Sequence, residues 1–256
     1  MLLAVDIGNS LIKFGVFDED SLVSKFSIPT NRDYAPDDIA NAVGNKIDRQ
    51  VTDAVACSVV PQIDDAISEF IKRSFNVDTR FIDNTFNFGL KVNYQPLNSL
   101  GADRLVNASA AVAKYGKPCI VCSLGTATTI DAVSDRGEFL GGVIAPGMQI
   151  MARAIHLATA KLPEVEIFKP ASILGNSTIE SIRSGGFYGY VGLVEGLIER
   201  IAAALPYTAK TVATGGFAAI VAAESSAIDI VDENLTLKGL RLLHTPDRQL
   251  PSPTAT

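Results

Sequence analysis

The sequence predicts an α/β protein built from two similar units, and three observations lead to this expectation. Apolar segments at residues 2–5, 11–17 and 22–28 are separated by turn residues, which is typical of three successive strands. After Pro36, apolar residues at helical spacing alternate with a further apolar strand, as in a sheet covered by helices. From residue 119 onward, three more strands repeat the opening pattern. We therefore expect one unit of strands and helices to occur twice.

The first unit continues with alternating helices and strands. A first helix is predicted by three apolar residues at helical spacing, Ile39, Val43 and Ile47. A strand over residues 51–60 follows, and the next helix is predicted by the apolar residues Ile63, Ala66, Ile67, Phe70 and Ile71. Residues 100–115 are rich in alanine and end at Gly116, so they predict a helix that leads into the second unit.

The second unit opens with predicted strands over residues 119–124, 128–134 and 138–144. A later helix has one apolar face, formed by Phe187, Tyr190, Val191, Val194, Leu197, Ile198 and Ile201. The same helix carries five glycines, Gly185, Gly186, Gly189, Gly192 and Gly196. Glycine weakens a helix but permits close backbone approach, either to a neighbouring helix or across a dimer interface. We predict domains over residues 1–115 and 116–256, with a loose tail from residue 245.

Composition and charge exclude several classes of protein. The net charge of -6 disfavours nucleic acid as a partner, because neutralising phosphates requires a surplus of lysine and arginine. The first apolar run is interrupted by Asp6, and no stretch of about 18 apolar residues occurs, so neither membrane insertion nor secretion is expected. We expect a cytoplasmic protein.

The cysteines and histidines do not predict a metal site or a catalytic triad. Cys119 and Cys122 form a C-x-x-C pattern, but positions i and i+3 of a strand face opposite sides of a sheet. These residues and Cys57 are therefore expected to be buried and reduced, and not to form disulfides. His156 and His244 lie far apart in sequence and neither is near a nucleophile motif.

Three turns suggest nucleotide binding. In the first hairpin, Asp6 precedes a tight turn of small residues whose N–H groups can contact phosphates, and its carboxylate can hold hydrated Mg²⁺. Taken alone, this turn is better explained as an ordinary hairpin with a surface aspartate. A second turn at residues 124–131 has hydroxyl residues at the matching place, and a glycine turn at residues 213–217 can admit a base or ribose. No G-x-x-x-x-G-K-[ST] or G-x-G-x-x-G motif occurs, so ATP must be held in another way.

The duplicated pattern with its turns resembles the superfamily of acetate and sugar kinases, heat-shock ATPases and actin. Within it the chain resembles the type III pantothenate kinases, on four motifs in the same order: Gly101-Ala102-Asp103-Arg104, the Gly141–Gly147 loop, Leu162-Pro163 and Gly175-Asn176-Ser177-Thr178. The similarity runs from about Met1 to Leu243. It implies two ribonuclease-H-like domains, each a β-β-β-α-β-α-β-α unit, that clamp ATP in the cleft between them. It also implies phosphorylation of pantothenate to 4'-phosphopantothenate, the first step of coenzyme A biosynthesis.

The resemblance assigns roles to particular residues. Asp103 is implied to be the catalytic base, whereas an Asp at a helix start could also serve as a cap. The implied ATP-binding residues are Asp6, Ile7, Gly8, Asn9, Ser10, Leu11, Ile12, Lys13, Thr126, Gly215 and Gly216. The implied pantothenate-binding residues are Tyr94, Gly101, Ala102, Asp103, Arg104 and Thr178, the last from the partner subunit of a homodimer with a shared active site. A buried tyrosine, a surface ion pair of the arginine and a helix-capping threonine are the structural alternatives.

The chain departs from the family pattern at Ser123, where the family has an aspartate that binds an activating monovalent cation, K⁺ or NH₄⁺. A hydroxyl replaces only part of the attraction of a carboxylate, so cation binding is expected to be weaker. Asp6 and Asp131 remain as candidate carboxylates for Mg²⁺. Two other functions stay open: a kinase or phosphatase of the same fold acting on another small alcohol, and a nucleotide-binding accessory protein in gene regulation.

Overall fold

The computed structural model describes residues 1–244, and the predicted tail from residue 245 lies outside these described residues. The chain divides into two compact units, one formed by Met1–Ala110 together with the residues from Leu235, and the other by Ala111–Asn234. The division falls inside one helix, and the C-terminal helix joins the first unit. The predicted domain ranges, 1–115 and 116–256, were drawn from local patterns alone and stay a prediction.

The first unit contains a five-stranded sheet with helices. Its elements are β1 (Leu2–Ile7), β2 (Leu11–Asp18), β3 (Ser21–Pro29), α1 (Pro36–Val43), β4 (Asp53–Ser58), α2 (Asp64–Phe75), β5 (Thr79–Phe81), β6 (Lys91–Val92) and α3 (Ala102–Tyr115). The strand order is β3-β2-β1-β4-β5, in which β1 to β3 are antiparallel and β1, β4 and β5 run parallel. The apolar residues of β1, β2, α1 and α2 form one buried cluster.

The second unit repeats this topology. Its elements are β7 (Cys119–Leu124), β8 (Ala127–Val133), β9 (Glu138–Pro146), α4 (Met148–Ala158), α5 (Thr178–Ala204), β10 (Lys210–Thr214), α6 (Ala218–Ala222) and β11 (Ile230–Val231). Its strands follow the order β11-β10-β7-β8-β9, with β7 to β9 antiparallel and β7, β10 and β11 parallel. The predicted duplication of an α/β unit of the ribonuclease-H-like kind is confirmed.

Helix α7 (Leu235–Leu243) packs on the first unit, although it follows the second in the chain. Leu235, Leu240 and Leu243 are fully buried there. Gly239 lies so close to α3 that an added Cβ would stand 2.7 Å from a Val106 methyl group. Burying a leucine side chain contributes about 1.5–3 kcal/mol to stability. These contacts therefore explain why the chain, after forming the second unit, packs its last described helix on the first.

The predicted apolar face of α5 is confirmed, since Phe187, Tyr190, Val191, Val194 and Ile198 are buried. The cysteines are free and buried, with Cys119 and Cys122 on β7. Burial raises the pKa of Cys119 to about 12 and raises the pKa of Cys122 further, so both remain neutral thiols. Within residues 1–244, no helix is long and apolar enough to cross a membrane.

Candidate active site

The hairpin between β1 and β2 is braced by a residue from the end of β3. The Gly8 N–H donates to the Leu11 carbonyl at 3.1 Å. Thr30 donates its N–H to the Ser10 carbonyl at 3.0 Å and its Oγ1 hydroxyl to the Gly8 carbonyl at 2.7 Å. Asn9 is exposed at the tip. The turn therefore presents backbone groups in a fixed geometry, as binding phosphate requires.

Not every predicted ATP residue of this hairpin has an accessible side chain. Leu11 and Lys13 reach the surface, whereas the side chains of Ile7 and Ile12 are buried in the core of the first unit. Any contact of these two isoleucines with a ligand would therefore involve their backbone.

Asp6 lies in a row of side chains that crosses three strands. Lys13 on β2 and Cys57 on β4 are its register partners, so all three side chains share one face of the sheet. Lys13 Nζ lies 3.3 Å from Asp6 Oδ2, and Cys57 Sγ lies 3.9 Å from Asp6 Oδ1. Only 9% of Asp6 is exposed, so its carboxylate is held between the two neighbours.

The pKa of Cys57 is affected by Asp6 and also by the predicted base, Asp103. The pKa of the Cys57 thiol is raised well above its usual value by burial first, and then by the negative charges of Asp6 and Asp103. The thiol stays neutral and can donate a weak hydrogen bond to Asp6.

Asp103 occupies the second position of α3, and Gly101 precedes the helix. A Cβ on Gly101 would collide with Asp103 Oδ1, so glycine leaves room for the carboxylate to fold back over the helix start. The Arg104 N–H donates to the Gly101 carbonyl at 3.2 Å, which closes the first turn. A carboxylate at the N-terminal end of a helix is stabilised by the helix dipole.

Arg104 and Tyr94 meet in the first unit, as a shared role in substrate binding requires. The guanidinium carbon of Arg104 lies 5.6 Å from the centre of the Tyr94 ring, a cation–π geometry. Arg104 is buried and Tyr94 is half-buried. The aromatic ring therefore packs against the guanidinium group of Arg104.

A cleft of about 300 Å³ opens beside the residues that precede Asp103. One wall is formed by residues 98–102, and Asn84 supports this wall by donating from Nδ2 to the Leu97 carbonyl at 2.9 Å and the Leu100 carbonyl at 3.3 Å. Asp64 lines another side; its Oδ1 atom is buried without a hydrogen-bond partner among the described residues. Burial raises the pKa of Asp64, and a hydrogen bond with Ser58 opposes this shift.

In the second unit, the turn between β7 and β8 is held by the start of α4. The Gly147 N–H donates to the Thr126 carbonyl at 3.1 Å. A Cβ on Gly147 would collide with the carbonyl oxygens of Gly125 and Thr126. Glycine is required here because two backbone segments are in direct contact.

The glycine turn after β10 approaches the same strand end. Gly215 has φ +95°, and an added Cβ would stand 2.5 Å from the Leu124 carbonyl oxygen. The Phe217 N–H donates to that oxygen at 3.1 Å. An added Cβ on Gly216 would meet nothing within 4 Å. The structure thus brings two of the predicted nucleotide turns, those with Thr126 and Gly215, together in one unit.

Ser123 is half-buried near the end of β7, paired with Thr129 on β8 and Thr214 on β10. Asp131 is buried on the same face of β8, two residues and therefore about 7 Å along the strand from Thr129. Gly142 on β9 makes room for it, because an added Cβ would lie 2.5 Å from Asp131 Oδ1.

Thr178 is the first residue of α5 and is exposed. The cap of this helix is Ser177, whose side-chain oxygen accepts a hydrogen bond from the Glu180 N–H at 3.2 Å. Thr178 is therefore not needed as the cap, and its hydroxyl is accessible.

Sequence reasoning missed two residues beside these turns. Cys57 was interpreted as a core cysteine; aligning β4 in parallel with β1 would have placed it opposite Asp6. Tyr190 was interpreted as part of an apolar face, although its hydroxyl lies 2.6 Å from Thr128 Oγ1. A tyrosine on a buried face usually has a hydrogen-bond partner, and that was the available signal.

Comparisons with known proteins agree on one family. The family model for type III pantothenate kinase matches residues 2–200. A type III pantothenate kinase of Syntrophobacter fumaroxidans is 41% identical over 258 residues, covering 98% of this chain and 100% of the relative. A type III pantothenate kinase of Halalkalibacterium halodurans is 38% identical, covering 95% of this chain and 98% of the relative.

Solved structures show the same fold at low sequence identity. A Campylobacter jejuni protein described as a Baf family transcriptional activator has a TM-score of 0.58 at 20% identity and covers 94% of this chain and 96% of its own. The activator of 2-hydroxyisocaproyl-CoA dehydratase from Clostridium difficile, solved with ADPNP bound, has a TM-score of 0.55 at 13% identity, covering 94% and 92%.

Proposed function

Since the chain belongs to the type III pantothenate kinase family, and so phosphorylates pantothenate with ATP in coenzyme A biosynthesis, we propose how its residues perform this reaction. Asp103 is the catalytic base. The 4'-hydroxyl oxygen of pantothenate attacks the γ-phosphorus of ATP, the bond from that phosphorus to the β–γ bridging oxygen breaks, and ADP leaves. The hydroxyl proton passes to the Asp103 carboxylate. A base in this role contributes about 10²- to 10⁴-fold to the rate.

In the first unit, the turn with Gly8 offers backbone groups for a phosphate; in the second unit, the turn with Thr126 does the same and the Gly215-Gly216 turn offers a surface for the nucleoside. The open space at Gly216, where an added Cβ would meet nothing within 4 Å, supports the nucleoside assignment, because it leaves a surface without side chains. In the first unit, Asp6 suits Mg²⁺, since a largely buried carboxylate held by Lys13 offers the oxygen ligand that Mg²⁺ prefers. When bound, Mg²⁺ neutralises negative charge on the phosphates.

A monovalent cation, K⁺ or NH₄⁺, would lie near Ser123, and its binding is weaker here than a carboxylate at that position would make it. The Ser123 hydroxyl and the paired Thr129 are neutral ligands. Asp131 lies on the same face, about 7 Å along the strand from Thr129, so its carboxylate does not occupy the place of the Ser123 side chain.

Pantothenate binds near the start of α3. Arg104, packed against Tyr94, binds the carboxylate or a carbonyl of the substrate. The residues just before Asp103, Gly101 and Ala102, border the 300 Å³ cleft, which Asp103 itself does not line. A volume near 300 Å³ is at the lower end of ordinary small-molecule sites. The acidic residues Asp64 and Asp83 also line this cleft, so the anionic end of the substrate should point away from them.

The chain forms a homodimer in the cytoplasm, and the partner subunit's Thr178 completes the pantothenate site. Exposed large apolar side chains are concentrated between residues 140 and 179 of the second unit: Leu140, Ile144, Ile150, Ile155, Leu157, Phe168, Ile173, Leu174 and Ile179. Added Cβ atoms on Gly185, Gly189 and Gly192 would meet nothing within 4 Å, so one side of α5 is also open to close approach. Such a concentration of exposed apolar surface is typical of an interface.

The single observation that carries these assignments is the position of Asp103, whose carboxylate folds over Gly101 at the start of α3, next to Arg104 in the chain. The test is phosphopantothenate formation from ATP, Mg²⁺ and pantothenate by the purified protein, with other small alcohols in parallel. We expect Asp103→Asn to lower kcat by about 10²- to 10⁴-fold with little change in the KM for ATP. Equal rates in the variant and the unmodified protein would refute the role of Asp103. Faster turnover of another alcohol would redirect the substrate assignment.

A further inference from the structure

Tyr190 introduces a hydroxyl group into the core of the second unit. The residue lies on α5 and is fully buried, with Phe187 and Val194 in the same apolar cluster. Its Oη atom lies 2.6 Å from Thr128 Oγ1, which is also fully buried. Burial raises the pKa of Tyr190 to about 12, so the side chain is a neutral hydrogen-bonding group.

The Tyr190 hydroxyl begins a short chain of hydrogen bonds. Thr128 donates from Oγ1 to the Pro146 carbonyl at 3.5 Å, so its oxygen is left to accept the proton of Tyr190. The next residue, Gly147, donates its N–H to the Thr126 carbonyl. This chain of hydrogen bonds therefore ends at the backbone segment, residues 146–147, that closes the Thr126 turn.

The Tyr190 ring makes a second contact, to the other nucleotide turn of this unit. Its centroid lies 6.3 Å from that of Phe217, and the ring planes are inclined by 70°, an edge-to-face arrangement. Phe217 in turn donates its N–H to the Leu124 carbonyl. Tyr190 therefore contacts both turns: its hydroxyl bonds to Thr128, just after the first turn, and its ring packs against Phe217 of the second turn.

We propose that Tyr190 is a positioning residue for ATP, which sets the spacing between the turn at residues 124–127 and the turn at residues 215–217. The inference depends on the proposed function in one respect, that these turns bind the nucleotide. Backbone groups bind a ligand tightly only when they are held in place before it arrives. The buried hydroxyl pair fixes the first turn, and the ring packing fixes the second against it.

Kinetics of isosteric variants test the proposal. Tyr190→Phe removes one hydroxyl and keeps the ring, and Thr128→Val removes its partner with little change in shape. Losing one net hydrogen bond corresponds to about threefold to tenfold in an equilibrium constant. We expect each variant to raise the KM for ATP by about that factor and the KM for pantothenate by less than about twofold. The double variant should be no worse than Thr128→Val alone, since that variant already removes the Tyr190 bond along with the bond to the Pro146 carbonyl.

Two further variants exclude a general loss of stability. Thr128→Ser keeps the hydroxyl and should restore the KM for ATP. Tyr188→Phe, a half-buried tyrosine on the same helix, serves as the matched control and should leave both constants unchanged. If Tyr190→Phe does not fold, the Thr128→Val and Thr128→Ser pair carries the test alone.

The inference is overturned if Tyr190→Phe and Thr128→Val keep the KM for ATP of the unmodified protein. It is also overturned if the KM for ATP and the KM for pantothenate rise by the same factor. Its failure is distinguishable from failure of the proposed function. Loss of activity in Asp103→Asn, together with an unchanged KM for ATP in the Tyr190 and Thr128 variants, rejects the positioning role and leaves the catalytic role of Asp103 standing. Full activity in Asp103→Asn rejects the proposed catalytic role first.

Discussion

A side chain at Gly215 would face two separate penalties. Its φ of +95° lies in a region that L-residues rarely adopt. An added Cβ would also stand 2.5 Å from the Leu124 carbonyl oxygen and 2.9 Å from the Leu124 nitrogen. These are backbone atoms of β7, which pairs with both β8 and β10, so they cannot move aside as a flexible side chain would. We therefore expect Gly215→Ala to destabilise the second unit.

Two other glycines allow the cost of the positive φ and the cost of the clash to be measured separately. Gly116 has φ +88° with open space around an added Cβ, and Gly216 has open space without an unfavourable φ. An L-residue at positive φ costs about 1–2 kcal/mol, and overpacking against rigid atoms costs about 1–3 kcal/mol more. The free energy of unfolding should thus fall by about 1–2 kcal/mol in Gly116→Ala and about 2–5 kcal/mol in Gly215→Ala, and hardly change in Gly216→Ala.

Calorimetric unfolding of the ligand-free protein measures these differences. For a chain of this length, 1 kcal/mol shifts Tm by about 2–4 °C, so Gly116→Ala should lower Tm by about 2–8 °C and Gly215→Ala by about 4–20 °C. The order of the three variants is the decisive result. A Tm for Gly215→Ala no lower than that of Gly116→Ala would refute the tight contact with Leu124.

Three further predictions concern the cation, the dimer and pH. Ser123→Asp should strengthen activation by K⁺, because a carboxylate at about 4 Å gains about 4 kcal/mol at an effective dielectric of 20, whereas the unmodified protein should respond weakly; sharp activation of the unmodified protein at low K⁺ would contradict this. Leu174→Asp, at a side chain 83% exposed, should convert a dimer to monomers in sedimentation experiments and lower activity, whereas Val23→Asp, in the first unit, should not; a fully active monomer would disprove the shared site. Burial lowers the pKa of His244 below its ordinary 6.5, so the unfolded chain binds more protons and stability falls as pH drops through about 6.5. The loss of Tm between about pH 7.5 and 5.5 should therefore be smaller in His244→Gln, and an equal loss would show that His244 is not the cause.

Local patterns predicted the order of β1 to β4, α1 to α3, β7 to β9 and α5, but not the short strands β5, β6 and β11 or the helices α4 and α7. The strands predicted at residues 119–124 and 138–144 correspond to β7 and β9. Strands of this kind can be predicted because apolar runs and the turn residues that bound them are local features of the sequence. The first predicted helix was too long: it ends at Val43, where Gly44 adopts φ +53° and a short 3-10 turn follows. The family motifs pointed to Asp103 and its neighbours, but their catalytic and binding roles stay predictions.

The tertiary structure alone decided which distant residues meet. Cys57 lies beside Asp6 although 51 residues separate them, because β4 pairs with β1 in parallel register. Tyr190 reaches Thr128 across 62 residues, because α5 packs its apolar face on the second sheet. Strand register and helix packing arise from the summed burial of many side chains, and no local period in a sequence records them. The sequence by itself therefore determined the elements, the glycine turns and the family, whereas the contacts that hold those turns in place depended on the fold.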